Sequence, residues 1–212
     1  MAFLVGFAAE ARIARLAGWR VATGGGTAEG AAAAARRLIK DGVAGIVSFG
    51  LAGGLDPALP VGALIVAGSV LTGSRLWPTD GGLNARLGGA SAHVCLGLDH
   101  IAASSEEKLR LGRETGAALA DMESGAVAME AGRAGMPFAV IRAVCDSASR
   151  SLPPAALVGL DAQGRIALPR VLLSLSRAPW QAGALMRLAR DAAMARRALR
   201  SHVLTVASGG FH

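Results

Sequence analysis

An α/β domain with helices packed on a sheet is what this chain predicts, and three observations carry that expectation. Phe138 to Val144 is an apolar, partly β-branched run bounded by Pro137 and Asp146, as a strand buried on both faces requires. A helical period precedes it, continuing from Glu123 through Val127, Glu130 and Ala131 until Gly132 and Gly135 break it. The excess of Ala and Gly, with 29 Gly in 212 residues, favours close packing of helices on a sheet over a β-sandwich. The length suits one domain spanning 1–212, and 52% hydrophobic against 17% charged residues excludes disorder.

Taken in order, Phe3 to Phe7 reads as a first strand; it has no charged flank before it and runs straight into Glu10 and Arg12, unlike a signal peptide. Ala9 to Leu16 has helical spacing, with Ile13 and Leu16 inward and Arg12 and Arg15 outward. Glu10 then stands at a strand-to-helix junction, where an acid is favoured by the helix dipole whether or not it has a further role. Gly24, Gly25, Gly26 and Thr27 precede a helix expected over Ala28 to Lys40. Bare N–H groups at such a helix start suit an anion, whereas Thr27 as a plain N-cap explains the same residues. If phosphate is a co-substrate, this loop is its place, with Arg12 as charge partner.

Val43 to Phe49 is expected to be a central strand and Gly50 to Gly54 a glycine loop that lets backbone approach a ligand. Ala63 to Leu71 is a further strand, Arg75 to Arg86 a surface loop, and His93 to Leu96 a strand leading into Gly97 to Ile101. Pro57 to Ser74 is uncharged, but its prolines and glycines suit strands better than a membrane span. Cys95 and Cys145 sit in apolar runs far from any CxxC spacing; they read as buried thiols in a reducing compartment, with no metal site and a cytoplasmic location.

The formal charge of +7 attracts anionic partners, and eight Arg between Arg165 and Arg200 face only Asp191, so the basic character belongs to the C-terminal region 165–200. There Leu185, Leu188, Ala192, Ala195 and Leu199 form one apolar stripe, with Arg187, Arg190, Arg196, Arg197 and Arg200 mostly elsewhere. Such a helix either packs on its own domain or lies peripherally on the cytoplasmic face of the inner membrane, with Trp180 at headgroup level. With 4% aromatic residues and no Tyr, the arginines lack the stacking platform of a nucleic-acid binder.

Two signatures carry a family resemblance. Met122-Glu123 followed by small residues, then a strand ending Arg142-Ala143-Val144-Cys145-Asp146, resembles the purine nucleoside phosphorylase and nucleosidase superfamily. Ser48 to Leu55 followed by Pro60 to Val66 resembles that family's glycine loop and next strand, in matching order, and the likeness runs from Phe3 to Asp146. Leu152 to Leu160 and the Arg-rich end resemble one subgroup, the hopanoid-associated phosphorylases that act on adenosylhopane. The resemblance implies a three-layer α/β/α fold with a central mixed sheet, a homo-oligomer, no cofactor, and cleavage of adenine from a 5′-substituted adenosine. It also implies that Glu10 activates water, that the backbone around His100 and Ile101 reads the adenine edge, and that Gly53 and Gly54 approach the substrate. Leu51 stands where many relatives carry Ser or Thr, which leaves phosphate or water open as nucleophile.

The chemistry constrains the acids further. An N-glycosidic bond breaks through an oxocarbenium-like cation, and purine leaves easily only when a ring nitrogen is protonated. Asp146 is the expected acid, kept neutral by burial. Glu123 is expected to stay ionised against the ribose and the developing cation, with Met122 offering a polarisable thioether. Adenosylhopane is the leading substrate by resemblance, with phosphorolysis modestly favoured; a methylthioadenosine/adenosylhomocysteine nucleosidase and a non-catalytic membrane-binding protein are the alternatives.

Overall fold

A computed structural model describes residues 1–157, 173–174 and 176–208. The expectations placed on 158–172, including part of Leu152 to Leu160 and the start of the basic region, lie outside the described residues.

The order is β1 (Ala2–Val5), α1 (Ala8–Ala14), β2 (Arg20–Thr23), α2 (Ala28–Lys40), β3 (Ile46–Gly54), β4 (Leu64–Thr72), β5 (Arg75–Pro78), α3 (Gly81–Arg86), β6 (Ser91–Gly97), α4 (Ser105–Thr115), β7 (Leu119–Asp121), α5 (Ser124–Arg133), β8 (Phe138–Asp146), α6 (Pro154–Leu157) and α7 (Ala182–Ser208). The sheet is mixed: β2, β1, β3 and β8 are parallel, while β4 runs antiparallel to both β5 and β8. Its order is β2-β1-β3-β7-β6-β4-β5, with β8 pairing both β3 and β4. Strands β3, β8, β4, β6 and β7 therefore close into a ring. The closure turns on β3, whose first half pairs β1 and whose end, past a register shift at Ala52/Gly53, pairs β7 through Gly53 and Gly54.

The two-residue period of β1 shows how the layers form. Ala2 and Leu4 pack with Ala31, Ala35 and Leu38 of α2 and Val127 of α5. Phe3 and Val5 face the other way, into a core shared with α1, Phe49, Ile141 and the α7 residues Ala195, Leu199 and Val203. Phe3 stacks on Trp19 at 4.8 Å between ring centroids and tilts against Phe49 at 5.0 Å. Helices thus cover both faces of a mixed sheet, as expected.

Three local expectations are corrected. Gly50 to Gly54 is not a loop but the end of β3. Arg75 to Arg86 is not an irregular surface loop: it holds β5, anchored by Trp77, and α3, whose N-cap Asp80 accepts from the Leu83 N–H at 2.8 Å. Leu16, placed inward by helical spacing, is 43% exposed because α1 tightens there into a 3-10 turn that ends at Gly18 in the left-handed region. On the C-terminal helix, Ala195, Leu199 and Val203 are buried in the domain, while Met186 and Met194 of its first half are exposed. The second half of α7 is therefore an ordinary packed helix. Among the described residues no helix is long and apolar enough to cross a membrane.

Candidate active site

The site is built around Arg142, a charge in the middle of an apolar strand and only 1% exposed. Burying a guanidinium costs several kcal/mol unless carboxylates and further acceptors surround it. Its Nε donates to Asp121 Oδ2 at 2.5 Å, and its Nη2 donates to Ser48 Oγ at 2.7 Å, Ser124 Oγ at 3.1 Å and Glu123 Oε2 at 3.3 Å. Nη1, also buried, has no protein acceptor.

Asp121 ends β7 and organises the turn into α5. Its Oδ1 accepts from the Glu123 and Ser124 N–H groups at 2.8 and 2.6 Å, satisfying helix-start donors that Glu123, as N-cap residue, leaves open. Its Oδ2 accepts from the Ser124 hydroxyl at 2.6 Å as well as from Arg142. Burial alone would raise its pKa, but the Arg142 charge and these hydrogen bonds hold it below the ordinary aspartate value. Gly97 of β6 and Gly125 of α5 meet backbone to backbone: a Cβ on Gly97 would lie 2.7 Å from the Gly125 nitrogen, so only glycine lets α5 come this close.

Glu10 arrives from α1. It faces inward, 4% exposed, and accepts from the Phe7 N–H at 2.9 Å and, across to β3, from the Leu51 N–H at 3.0 Å. It thus satisfies the helix start and also reaches the site. Burial raises its pKa, with Arg142 pulling partly the other way. Two glycines make room for the acids. A Cβ on Gly6 would stand 2.5 Å from Glu123 Oε1 and 3.3 Å from Glu10 Oε2; one on Gly50 would stand 2.6 Å from Glu10 Oε1 and 2.7 Å from Arg142 Nη1. Glu10, Glu123 and the unpartnered Nη1 thus converge where β1 ends and β3 passes.

Three carboxylates around one guanidinium leave an excess of negative charge, and Glu123 absorbs it. Burial, opposed by Arg142 and reinforced by the Asp121 and Glu10 charges, pushes its pKa up to about 8. This runs against the expectation of an ionised Glu123, since burial and the neighbouring carboxylates favour its protonated form.

Asp146, at the end of β8, is equally buried but differently partnered. Its Oδ2 accepts from Lys108 Nζ of α4 in a buried salt bridge, and its Oδ1 accepts from the Cys145 thiol at 3.3 Å. Gly53 lies beneath it, since a Cβ there would be 3.5 Å from Oδ1; a Cβ on Gly54 would be 3.1 Å from the Asp146 carbonyl oxygen. The residue expected as the acid is therefore found in direct contact with the Lys108 side chain, which α4 inserts beside it. Burial and the Asp146 charge raise the Cys145 thiol pKa, with a smaller push from Glu10.

The remaining expected residues divide. The segment holding His100 and Ile101 is tied at one end by the Leu98 N–H to the Asp121 carbonyl (2.8 Å) and at the other by the Leu152 N–H to the Ala103 carbonyl (2.8 Å), which sets it beside both Met122 and the turn after Asp146. His100 itself is exposed and bonded to Asp99 at 2.7 Å and Glu107 at 2.9 Å, two carboxylates that raise its pKa, and Ile101 is 39% exposed. Met122 is half-buried beside Glu123. Thr27 caps α2, accepting from the Gly30 N–H at 3.1 Å; Gly25 and Gly26 adopt positive φ, and the Phe7 ring packs on Gly26, so these residues are accounted for by cap and turn. Arg12 is exposed and, two residues from Glu10 on α1, projects about 200° away from it. It does not serve the cluster as a cation.

Sequence reasoning passed over Arg142, Asp121, Ser48, Ser124 and Lys108 as site residues. Arg142 had a readable signal, since a lone charge inside an apolar strand demands buried acids. Lys108 had none, because Ser105-Glu106-Glu107-Lys108-Leu109-Arg110 reads as a solvated helix face.

Comparison with known proteins bears on this arrangement. No protein of curated function matches the sequence. Among solved structures, the fold is similar to the 5′-methylthioadenosine/S-adenosyl homocysteine nucleosidase of Helicobacter pylori (19% identity, 95% of this chain and 96% of that one, TM-score 0.66). It is similar as well to the futalosine hydrolase of Helicobacter pylori (19% identity, 95% and 96%, TM-score 0.67) and to the Neisseria meningitidis 5′-methylthioadenosine/S-adenosylhomocysteine nucleosidase (18% identity, 94% and 98%, TM-score 0.63). The sequence profile described as the Phosphorylase superfamily matches residues 19–93 and 90–170, which sets aside the non-catalytic alternative. With that match covering most of its length, the chain belongs to the phosphorylase superfamily of enzymes.

Proposed function

We propose that the protein hydrolyses the N-glycosidic bond of a 5′-substituted adenosine, with water as nucleophile. The observation that carries this reading is the convergence of Glu10, Glu123 and the unpartnered Arg142 Nη1 around Gly6 and Gly50, with Asp146 held separately over Gly53. Breaking the bond leaves positive charge on the ribose, and a surplus of carboxylates is the environment that stabilises it. Arg142 Nη1 can donate to the attacking oxygen, and Glu10 can take the proton that water releases. Glu123 sits beside them to engage ribose hydroxyls, and the base leaves toward Asp146 and the Leu98 to Ala103 segment.

Phosphate suits this cluster poorly. A dianion would meet three carboxylates and one guanidinium, and Arg12, expected to assist it, is on the outer face of α1. Two substrates remain in contention. The fold likeness to methylthioadenosine/adenosylhomocysteine nucleosidases favours a short 5′ substituent. The resemblance of the C-terminal region to adenosylhopane-cleaving proteins favours a long apolar one, and exposed Trp180 and Met186 would suit it. They belong to the α7 end of the chain, which is tied to the turn after β8 by Arg150 and Asp191 and to α6 by the Ala155 N–H donating to Gln181.

Free adenine measured from 5′-methylthioadenosine, adenosylhomocysteine and adenosylhopane in vesicles, each with and without phosphate, tests both points. Equal release without phosphate supports hydrolysis, and a ribose 1-phosphate product would overturn it. The substrate with the highest kcat/KM decides the 5′ group.

A further inference from the structure

Cleavage as read above asks Asp146 to deliver a proton, yet the group in contact with it is an ammonium. Lys108 lies in the second turn of α4, 1% exposed, and its three donors are all engaged: with Asp146 Oδ2, with the Arg150 carbonyl at 2.9 Å and with the Ser147 carbonyl at 3.3 Å. The two carbonyls are neutral dipoles, so among the described contacts Asp146 is the one carboxylate that faces this charge. The other donor to Asp146, the Cys145 thiol, is half-buried beside a carboxylate, and that desolvation and charge make it hold its proton more firmly than a free thiol does. Loss of that proton would place two anions side by side. A buried lysine, by contrast, is a group that readily changes protonation state, and an arginine is not.

Resting on the cleavage reading, we infer that Lys108 stores the proton that departs with adenine and that Asp146 relays it. The Nζ–H bond breaks and an O–H bond forms on Asp146; the carboxyl then gives that proton to the purine ring nitrogen as the bond from the ribose to the base breaks and its electron pair leaves with the base. Lysine is left as a neutral amine and Asp146 as a carboxylate again. The proton released by the attacking water passes to Glu10, and solvent reprotonates Lys108 once the products leave. The carbonyls of Ser147 and Arg150 hold Nζ in place throughout, so Lys108 acts through Asp146 as a positioning and proton-supplying residue, with no contact to substrate of its own.

The test uses the full chain with 5′-methylthioadenosine and compares wild type with Lys108→Arg and Lys108→Met. Arginine keeps the charge and the ion pair but does not surrender a proton. The expected result is a fall in kcat of about 10²-fold or more in both variants, with KM within about 3-fold of wild type and with the residual rate rising as pH falls, because solvent must then supply the proton. Wild-type kcat in Lys108→Arg would overturn the inference by showing that charge alone suffices. A pH-independent loss, or loss of the folded state in both variants by thermal unfolding, would overturn it by showing a purely structural role. Absence of adenine release by wild type from every adenosine tried would instead sink the cleavage reading itself.

Discussion

Around Arg142, two buried carboxylates pair with one guanidinium and a third, Glu10, lies close by, whereas at Asp146 one buried carboxylate faces one ammonium. The first group is anchored on α1, β3, β7, the start of α5 and β8 and held from several sides, so burial and the neighbouring carboxylates raise the pKa of Glu123. The second is balanced, and it lies between a strand end and a helix facing a surface turn. Charge balance thus separates two roles that burial alone would not: the surplus end suits a developing cation and a proton acceptor, and the balanced end suits a proton donor.

The largest expected effect comes from breaking the balanced pair. Asp146→Asn should lower adenine release by about 10² to 10⁴, since an amide relays no proton. It also leaves Lys108 buried without its anion, a loss of about 3–5 kcal/mol, so the melting temperature should drop as well. Adding Lys108→Met to Asp146→Asn should restore melting without restoring activity. Full stability in the single variant would mean that the salt bridge does not form in solution.

Breaking the surplus end should cost less in fold and more in pH behaviour. Glu123→Gln should slow adenine release by about 10- to 100-fold while leaving the protein folded, because Gln keeps the shape of the side chain and burial favours a neutral group there. The folded pKa of Glu123 lies above its ordinary value of 4.5, so the folded state holds a proton that the unfolded chain has lost. The stability this group contributes is complete below about 4.5 and is lost as pH climbs through about 8. Urea midpoints across that window should fall with pH in wild type and flatten in Glu123→Gln; parallel curves would remove Glu123 from the titration.

Smaller effects sharpen the boundary of the site. Leu199→Ala, which opens a cavity under α7, should cost about 2–5 kcal/mol and leave KM unchanged, whereas a helix lying on membranes and detached from the domain would show no loss. The smallest change is expected of Arg12→Gln. With Arg12 on the exposed side of α1, adenine release should stay within about 2-fold in phosphate and in its absence; a phosphate-dependent loss would restore the Gly24 to Thr27 loop as an anion site.

Much of this architecture was readable before any coordinate. The apolar runs of β1 and β8, the alanine-rich α2 with its Thr27 cap, and the placing of Glu10, Glu123 and Asp146 at element ends all follow from periodicity, capping and propensity, which are local properties of the chain. Closure of the strands into a ring was not readable, because it depends on β8 pairing two strands distant in sequence and on the register shift of β3 at Ala52/Gly53. Nor were the surroundings of the acids. Glu123 and Asp146 are both buried acids at junctions, and the groups that face each were set by the fold. Two further carboxylates meet Glu123, and Lys108, from a helix that looks solvated in sequence, meets Asp146. Interactions between charges depend on distance through space, and only the tertiary structure sets those distances.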